Sequence, residues 1–160
     1  MISLGGEKQN NNANLRITMR MTRILMRPQV FKKDFLYAEL SYHLNGIFFA
    51  VHNELGRFRN EKQYCDGIEA KLQEAQIPYK REYPLPTSFK GEHSRRNIVD
   101  FFIEDKIVLE IKAKPGVDKQ DYYQVLRYLS SLQCRLGILV NFGRYTLVPK
   151  RILNSHHSHS

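Results

Sequence analysis

Three observations in the sequence predict a mixed α/β (α+β) domain. Two helix-period runs, Phe35 to Leu55 and another from about Asn60, come before any strand-like stretch. Two apolar runs rich in Ile, Val, Phe and Leu then flank the polar turn Glu104-Asp105-Lys106, which reads as a β-hairpin. A third helical stretch, about Asp118 to Cys134, is followed by the apolar run Ile138 to Val140, so the chain crosses over into a mixed sheet. The order along the chain is α–α–β–β–β–α–β–β.

Composition sets the bounds. At 160 residues, one domain is expected. The formal net charge of +9 suggests a polyanionic partner, although part of it lies in the N-terminal stretch. Cys65 and Cys134 are the only cysteines, which excludes a disulfide framework or a four-cysteine metal cluster and fits a reducing cytoplasm. No run is long enough to span a membrane, and no apolar stretch of a secretory signal follows the basic N-terminus.

Residues 1–33 read as a separate basic extension, expected to be disordered. Gly5-Gly6 and Asn10-Asn11-Asn12 break structure, and Arg16, Arg20, Arg23 and Arg27 would form a basic stripe on one helix face. An extension without a role is one reading, a nucleic-acid-grasping arm the other.

Residues 34–153 carry the domain. Its first helix has Leu40, Leu44, Ile47, Phe48, Val51 and Leu55 at helical spacing, with Asp34 as N-cap, Gly56 as stop and His52 near the apolar face. After the connector Arg57-Phe58-Arg59, the second helix carries Glu61 in its first turn and buries Tyr64, Ile68, Leu72 and Ala75. Tyr79 to Tyr83 reads as a strand, with Lys80 and Glu82 on the face opposite Tyr79 and Tyr83. A polar loop, Lys90 to Arg96, leads into the hairpin. Beyond Pro115-Gly116 the third helix packs Tyr122, Val125, Leu126, Leu129 and Leu132 inwards, with Gln124 and Tyr128 one turn apart. Thr146 to Leu153 is one more edge strand, containing Pro149. Residues 154–160 are a His/Ser-rich tail, expected to be disordered.

Charge interrupts the apolar pattern of the hairpin at Asp100, Glu110 and Lys112. With a loop of residues 104–106, Asp100 lies opposite Glu110, while Glu110 and Lys112 share a face. Two adjacent carboxylates repel, and Lys112 offsets one negative charge only. A divalent cation held by Asp100 and Glu110, Mg²⁺ or Mn²⁺ by its preference for oxygen ligands, would settle the rest. Such a set suits phosphodiester cleavage, in which a metal activates water and a lysine steadies the charge that develops. A salt-bridged hairpin with a solvated face is the other reading of these residues.

Asp100, the Glu110-Ile111-Lys112 triplet and the order of elements resemble the PD-(D/E)XK nuclease superfamily. More narrowly, the chain resembles the GxxExxR family, through Val51-His52-Asn53-Glu54-Leu55-Gly56, Glu61-Lys62-Gln63-Tyr64, Ile77-Pro78-Tyr79-Lys80-Arg81-Glu82, Val99-Asp100-Phe101, Val108 to Ala113 and Leu136 to Gly143. The resemblance covers about Phe35 to Leu153. It implies a restriction-endonuclease-like fold with a central four-stranded mixed sheet flanked by helices, and a metal-dependent nuclease of the RecB exonuclease type. Position by position, it makes Asp100 and Glu110 the metal-binding acids, joined by the Ile111 carbonyl, and Lys112 the motif lysine. Gln124 and Tyr128 match a Gln-x-x-x-Tyr helix motif, Glu61 an acidic position on the early helix, and His52 a histidine of the first helix. The string that names the family is broken: Phe58 stands in place of its glycine and Tyr64 in place of its arginine, while Glu61 agrees.

The expected function is therefore a cytoplasmic, Mg²⁺- or Mn²⁺-dependent nuclease acting on nucleic acid, DNA foremost. Arg57, Arg59, Arg95 and Arg96 would contact phosphates, which positions a strand without reading its sequence. The alternative is a catalytically silent nucleic-acid-binding or protein-interaction module on the same scaffold.

Overall fold

Helix α1 (Ala38–Leu55) starts at Ala38 rather than Phe35, because Tyr37 at its N-cap takes a left-handed conformation with φ 51°. The computed structural model describes residues 35–155. The expected cap at Asp34, the arginine stripe and the histidines of the C-terminal tail lie outside the described residues. Gly56 ends α1 with φ 68°, a value open to glycine at little cost, and its N–H donates to the His52 carbonyl. Helix α2 (Glu61–Glu74) opens with a capping box. Asn60 Oδ1 accepts from the Gln63 N–H at 2.9 Å, and Gln63 Oε1 accepts from the Asn60 N–H at 3.1 Å.

The strands are β1 (Tyr79–Pro84), β2 (Ile98–Ile103), β3 (Ile107–Lys112), β4 (Leu136–Asn141) and β5 (Lys150–Leu153), paired in the order β1-β2-β3-β4-β5. The described residues thus form five strands, not the four that the resemblance implies, with β5 added beside β4. Helix α3 (Lys119–Ser131) is the crossover that makes β3 and β4 parallel, and the other three pairings are antiparallel. Asp118 caps α3 in a second capping box with Asp121. Strand β5 begins only after Pro149, whose ring nitrogen has no proton for a ladder bond.

The sheet lies between two apolar layers. Leu44, Phe48, Tyr64, Ile68 and Leu72 of α1 and α2 cover one face, against Phe101, Leu109, Ile111, Ile138 and Val140. Val125, Tyr128 and Leu129 of α3 cover the other, against Val99, Phe102, Val108, Leu139 and Ile152. Strand β4 is buried at every position, as a strand covered on both faces must be. Tyr122 departs from expectation: it is 43% exposed, because the face α3 turns to the sheet runs through Val125, Tyr128 and Leu129.

A second departure falls on β1 and β2. Tyr79 packs in the α1/α2 layer and Tyr83 in the α3 layer, although both were expected on one face. Glu82 has φ 48°, and the β1–β2 ladder skips the pair Glu82/Asp100 while holding register on either side. Val99 and Phe102 likewise share the α3 layer, while Phe101 and Ile103 face the other way. Regular alternation would separate Val99 from Phe102, so the alternation slips by one residue at Asp100.

Helix α3 approaches β4 closely at Gly137, where an added Cβ would overlap Val125 Cγ1. Gly137→Ala is expected to cost about 1–3 kcal/mol in urea denaturation, as overpacking does. The cost should shrink in a Val125→Ala background; equal costs in both backgrounds would rule out that contact as the cause.

Candidate active site

The hairpin register places the site. Phe101 pairs with Leu109, Phe102 with Val108 and Ile103 with Ile107, the register the three-residue loop predicts, whose next step would set Asp100 against Glu110. Glu104 and Asp105 hold the turn with φ 49° and 54°, and the Lys106 N–H closes it on the Ile103 carbonyl at 2.9 Å. Beyond Phe101 and Leu109 no further Cα pair continues the ladder, and a side chain takes over. Asp100 Oδ2 accepts from the Ile111 N–H at 2.7 Å. Asp100 therefore sits where the ladders on both sides of β2 open. It lines a crevice of about 160 Å³ with Glu61, Lys62, Cys65, Arg81 and Glu82.

Strand alternation puts Glu110 and Lys112 together. Lys112 Nζ donates to Glu110 Oε1 at 2.9 Å and to Gln124 Oε1 at 3.0 Å. Gln124 Nε2 in turn donates to the Tyr128 hydroxyl at 2.6 Å. Four side chains from one strand and one helix thus form a continuous chain. Glu110 is 4% exposed, and its Oε2 has no hydrogen-bond partner among the described residues. A buried carboxylate oxygen left unpaired is costly, and this one belongs to a charge that also faces Asp100.

Electrostatics records the same imbalance. Burial and then the nearby Asp100 push the Glu110 carboxyl up to about 7. Burial pushes the Asp100 carboxyl up to about 6, against the pull of the Ile111 N–H. Burial works against the charge of Lys112, but Glu110, Glu61 and Asp100 outweigh it and its pKa rises above 10.5. Cys65, beside Asp100 in the crevice, is pushed up by burial and by that carboxylate, which disfavours its thiolate.

Asp100, Glu110, Lys112, Gln124 and Tyr128 are thus gathered, with the Ile111 backbone between the two acids. Glu61 stands exposed in the first turn of α2, across the crevice from Asp100, near enough to raise its pKa. His52 is turned elsewhere: its Nε2 lies 3.0 Å from the Arg144 carbonyl. Among the described residues no three His, Cys, Asp or Glu side chains form a metal-holding group, so Glu61 and His52 do not close on the two acids. Arg57 and Arg59 are exposed in the loop before Glu61, and Arg95 and Arg96 in the loop that enters β2. Strands β3 and β4 run parallel and β2 antiparallel to them, so both acids lie at the sheet end where β2 begins and β3 and β4 finish.

Two supporting residues had a weaker signal. Arg81 is held by Asp66 at 2.6 Å and by Glu69, with its guanidinium over the Phe101 ring, and it lowers the Asp100 pKa from across the crevice. Its partners are remote in sequence, so nothing local marks it. Asn141 is buried at the end of β4. It accepts from the N–H groups of Lys114 and Gly143, each at 3.1 Å, and donates to the Lys114 carbonyl at 2.8 Å. A polar residue closing an all-apolar strand was its visible sign.

A family model described as the PD-(D/E)XK nuclease superfamily matches residues 38–152. No curated protein and no solved structure matches.

The imbalance has a measurable consequence. Both carboxyls have folded-state pKa values above their ordinary ones, so the folded protein binds more protons, and stability should fall as pH rises from about 4 to about 7. Asp100→Asn removes one charge and keeps an acceptor for the Ile111 N–H. In the absence of divalent metal it should stabilise the protein by about 1–3 kcal/mol at pH 8. The gain should fade as pH drops from 6 towards 4. An equal or lower stability than wild type at pH 8 would contradict the repulsion.

Proposed function

The chain belongs to the PD-(D/E)XK nuclease superfamily, and on that premise we propose that it is a divalent-metal-dependent nuclease that hydrolyses phosphodiester bonds in DNA. The observation that carries this reading is the unpaired Oε2 of Glu110, buried next to a second carboxylate with one lysine for two charges. Two hard oxygen donors and a net negative charge fit Mg²⁺ or Mn²⁺. Asp100 and Glu110 would hold the ion, with the Ile111 carbonyl between them. The ion would supply Lewis acidity and a water of lowered pKa.

The chain's own residues supply the rest. Lys112 keeps its proton at neutral pH and places a fixed positive charge beside the scissile phosphate. Glu110 and Gln124 hold its ammonium from two sides, so little reorganisation is needed as charge develops. Tyr128, 4% exposed, anchors the far end of that chain through Gln124. Asp100 is oriented by the Ile111 N–H, and Glu61 adds negative potential at the rim of the crevice. His52, engaged by the Arg144 carbonyl, is given no ligand role. The Lys112–Gln124–Tyr128 chain supports the RecB-type branch, and the agreement at Glu61 supports kinship with the GxxExxR family. Exposed Arg57, Arg59, Arg95 and Arg96 would hold the DNA backbone. Buried, unpaired Cys65 and Cys134 suit the reducing cytoplasm, where we place the protein.

The test uses purified wild type, Asp100→Ala and Lys112→Ala on single- and double-stranded DNA and RNA, with Mg²⁺, with Mn²⁺ and with chelator. Wild type should cleave DNA only with metal, and each variant should lose about 100-fold or more of the rate while its circular dichroism is unchanged. Equal rates in all three proteins would refute the catalytic reading, and metal-independent, salt-sensitive binding without turnover would favour the silent module.

A further inference from the structure

Two of the most exposed large apolar side chains stand on neighbouring loops at the same sheet end as the two acids. Phe58 is 86% exposed and Tyr145 is 84% exposed. Neither exposure comes from a loop left untethered. Buried Tyr64 fixes the first loop: its hydroxyl donates to the Gly56 carbonyl at 2.6 Å and accepts from the Arg59 N–H at 3.2 Å. The ring of Tyr64 also stacks on Phe142, with centroids 4.5 Å apart, at the start of the second loop. His52 holds that loop through the Arg144 carbonyl, and Asn141 holds it through the Gly143 N–H. One tyrosine therefore braces both loops, and each projects an aromatic ring into water that local folding does not cover.

Both rings are flanked by cations. Arg57 and Arg59 border Phe58, and Arg144 precedes Tyr145; all three are exposed. None of them joins an ion pair among the described residues. The Arg57 guanidinium lies 4.7 Å from the Phe58 ring centre. Rigid aromatic rings alternating with unpaired arginines match a polyanion that carries flat apolar groups, that is, a polynucleotide with unpaired bases. A paired duplex offers phosphates to the arginines, but its bases are stacked on one another and closed to the rings. The loop bearing Phe58 runs directly into Glu61, which lines the crevice beside Asp100, so a strand on these rings is continuous with the acids.

We infer that Phe58 and Tyr145 form a stacking platform that selects single-stranded or frayed nucleic acid over intact duplex. The inference rests on the nuclease reading for its substrate, but its test does not require cleavage. A fluorescein-labelled deoxyoligonucleotide of about 12 nucleotides, the same sequence as a blunt duplex, and an abasic strand of equal length are titrated by anisotropy without divalent metal. Wild type should bind the single strand more tightly than the duplex. Phe58→Ala and Tyr145→Ala should each weaken single-strand binding about tenfold and leave duplex binding unchanged. The abasic strand should bind wild type as weakly as the single strand binds the double variant. Arg57→Ala should weaken binding to single strand and duplex alike. Single-strand affinity unchanged in the double variant, or duplex bound as tightly as single strand by wild type, would overturn the platform. Cleavage that depends on Asp100 in such a protein would leave the nuclease reading standing. A platform that discriminates strands in a protein that never cleaves would sink the nuclease reading alone.

Discussion

A buried carboxylate, Glu110, and a half-buried one, Asp100, share the end of the central hairpin with one ammonium, that of Lys112. Glu110 costs the most to keep there, since one of its oxygens has no partner among the described residues. Removing a charge of this kind from water costs several kcal/mol, and Lys112 repays only part of that. The surroundings prevent an easy escape. Glu110 is carried by a strand buried on both faces, and Asp100 is tied to the Ile111 N–H. Lys112 is drawn towards Gln124 as well as towards Glu110, so it cannot turn wholly to either acid. A fully balanced structural ion pair would leave no carboxylate oxygen over, whereas here Glu110 Oε2 stays without a partner among the described residues.

The cluster was legible because it depends on short-range rules. A three-residue loop between two apolar runs sets the register, and the period of two sets which side chains share a face. The same rules did not reveal the slip in alternation at Glu82 and Asp100. Glutamate has no preference for positive φ, so no residue type announces the kink, and Tyr79 and Tyr83 consequently part company. The ion pairs of Arg81 join β1 to α2, a tertiary choice that local sequence does not encode. Tyr122 sits at helical spacing from the buried stripe of α3 and still faces outwards, because the sheet covers a narrower band of that helix than an apolar count suggests. His52 lay near the apolar face in the sequence, and only the folded loop after β4 shows that the Arg144 carbonyl engages it.

Topology explains why so much converges at one end of the sheet. With β3 and β4 parallel, both leave from that end, and antiparallel β2 enters there. The long loop that carries Arg95 therefore enters β2, and the loop that carries Arg144 leaves β4, at the same sheet end as the acids. Asn141 ties the exit of β3 to the exit of β4, and an added Cβ at Gly143 would overlap the Lys114 backbone, so the two segments can approach only with glycine there. Tyr64 links the loops on the other face of the sheet. Phe58 and Tyr64 are also the two positions that depart from the GxxExxR string, and buried Tyr64 braces the loop on which Phe58 is exposed.

The most direct measurement is the anomalous scattering of crystals grown with Mn²⁺. A single strong peak between the Asp100 and Glu110 carboxylates, with Glu110 Oε2 among its ligands, is the expected result. A site without a peak, and with Oε2 satisfied by a protein donor or an ordered water, would contradict the claim that these two acids are held unbalanced for a cation.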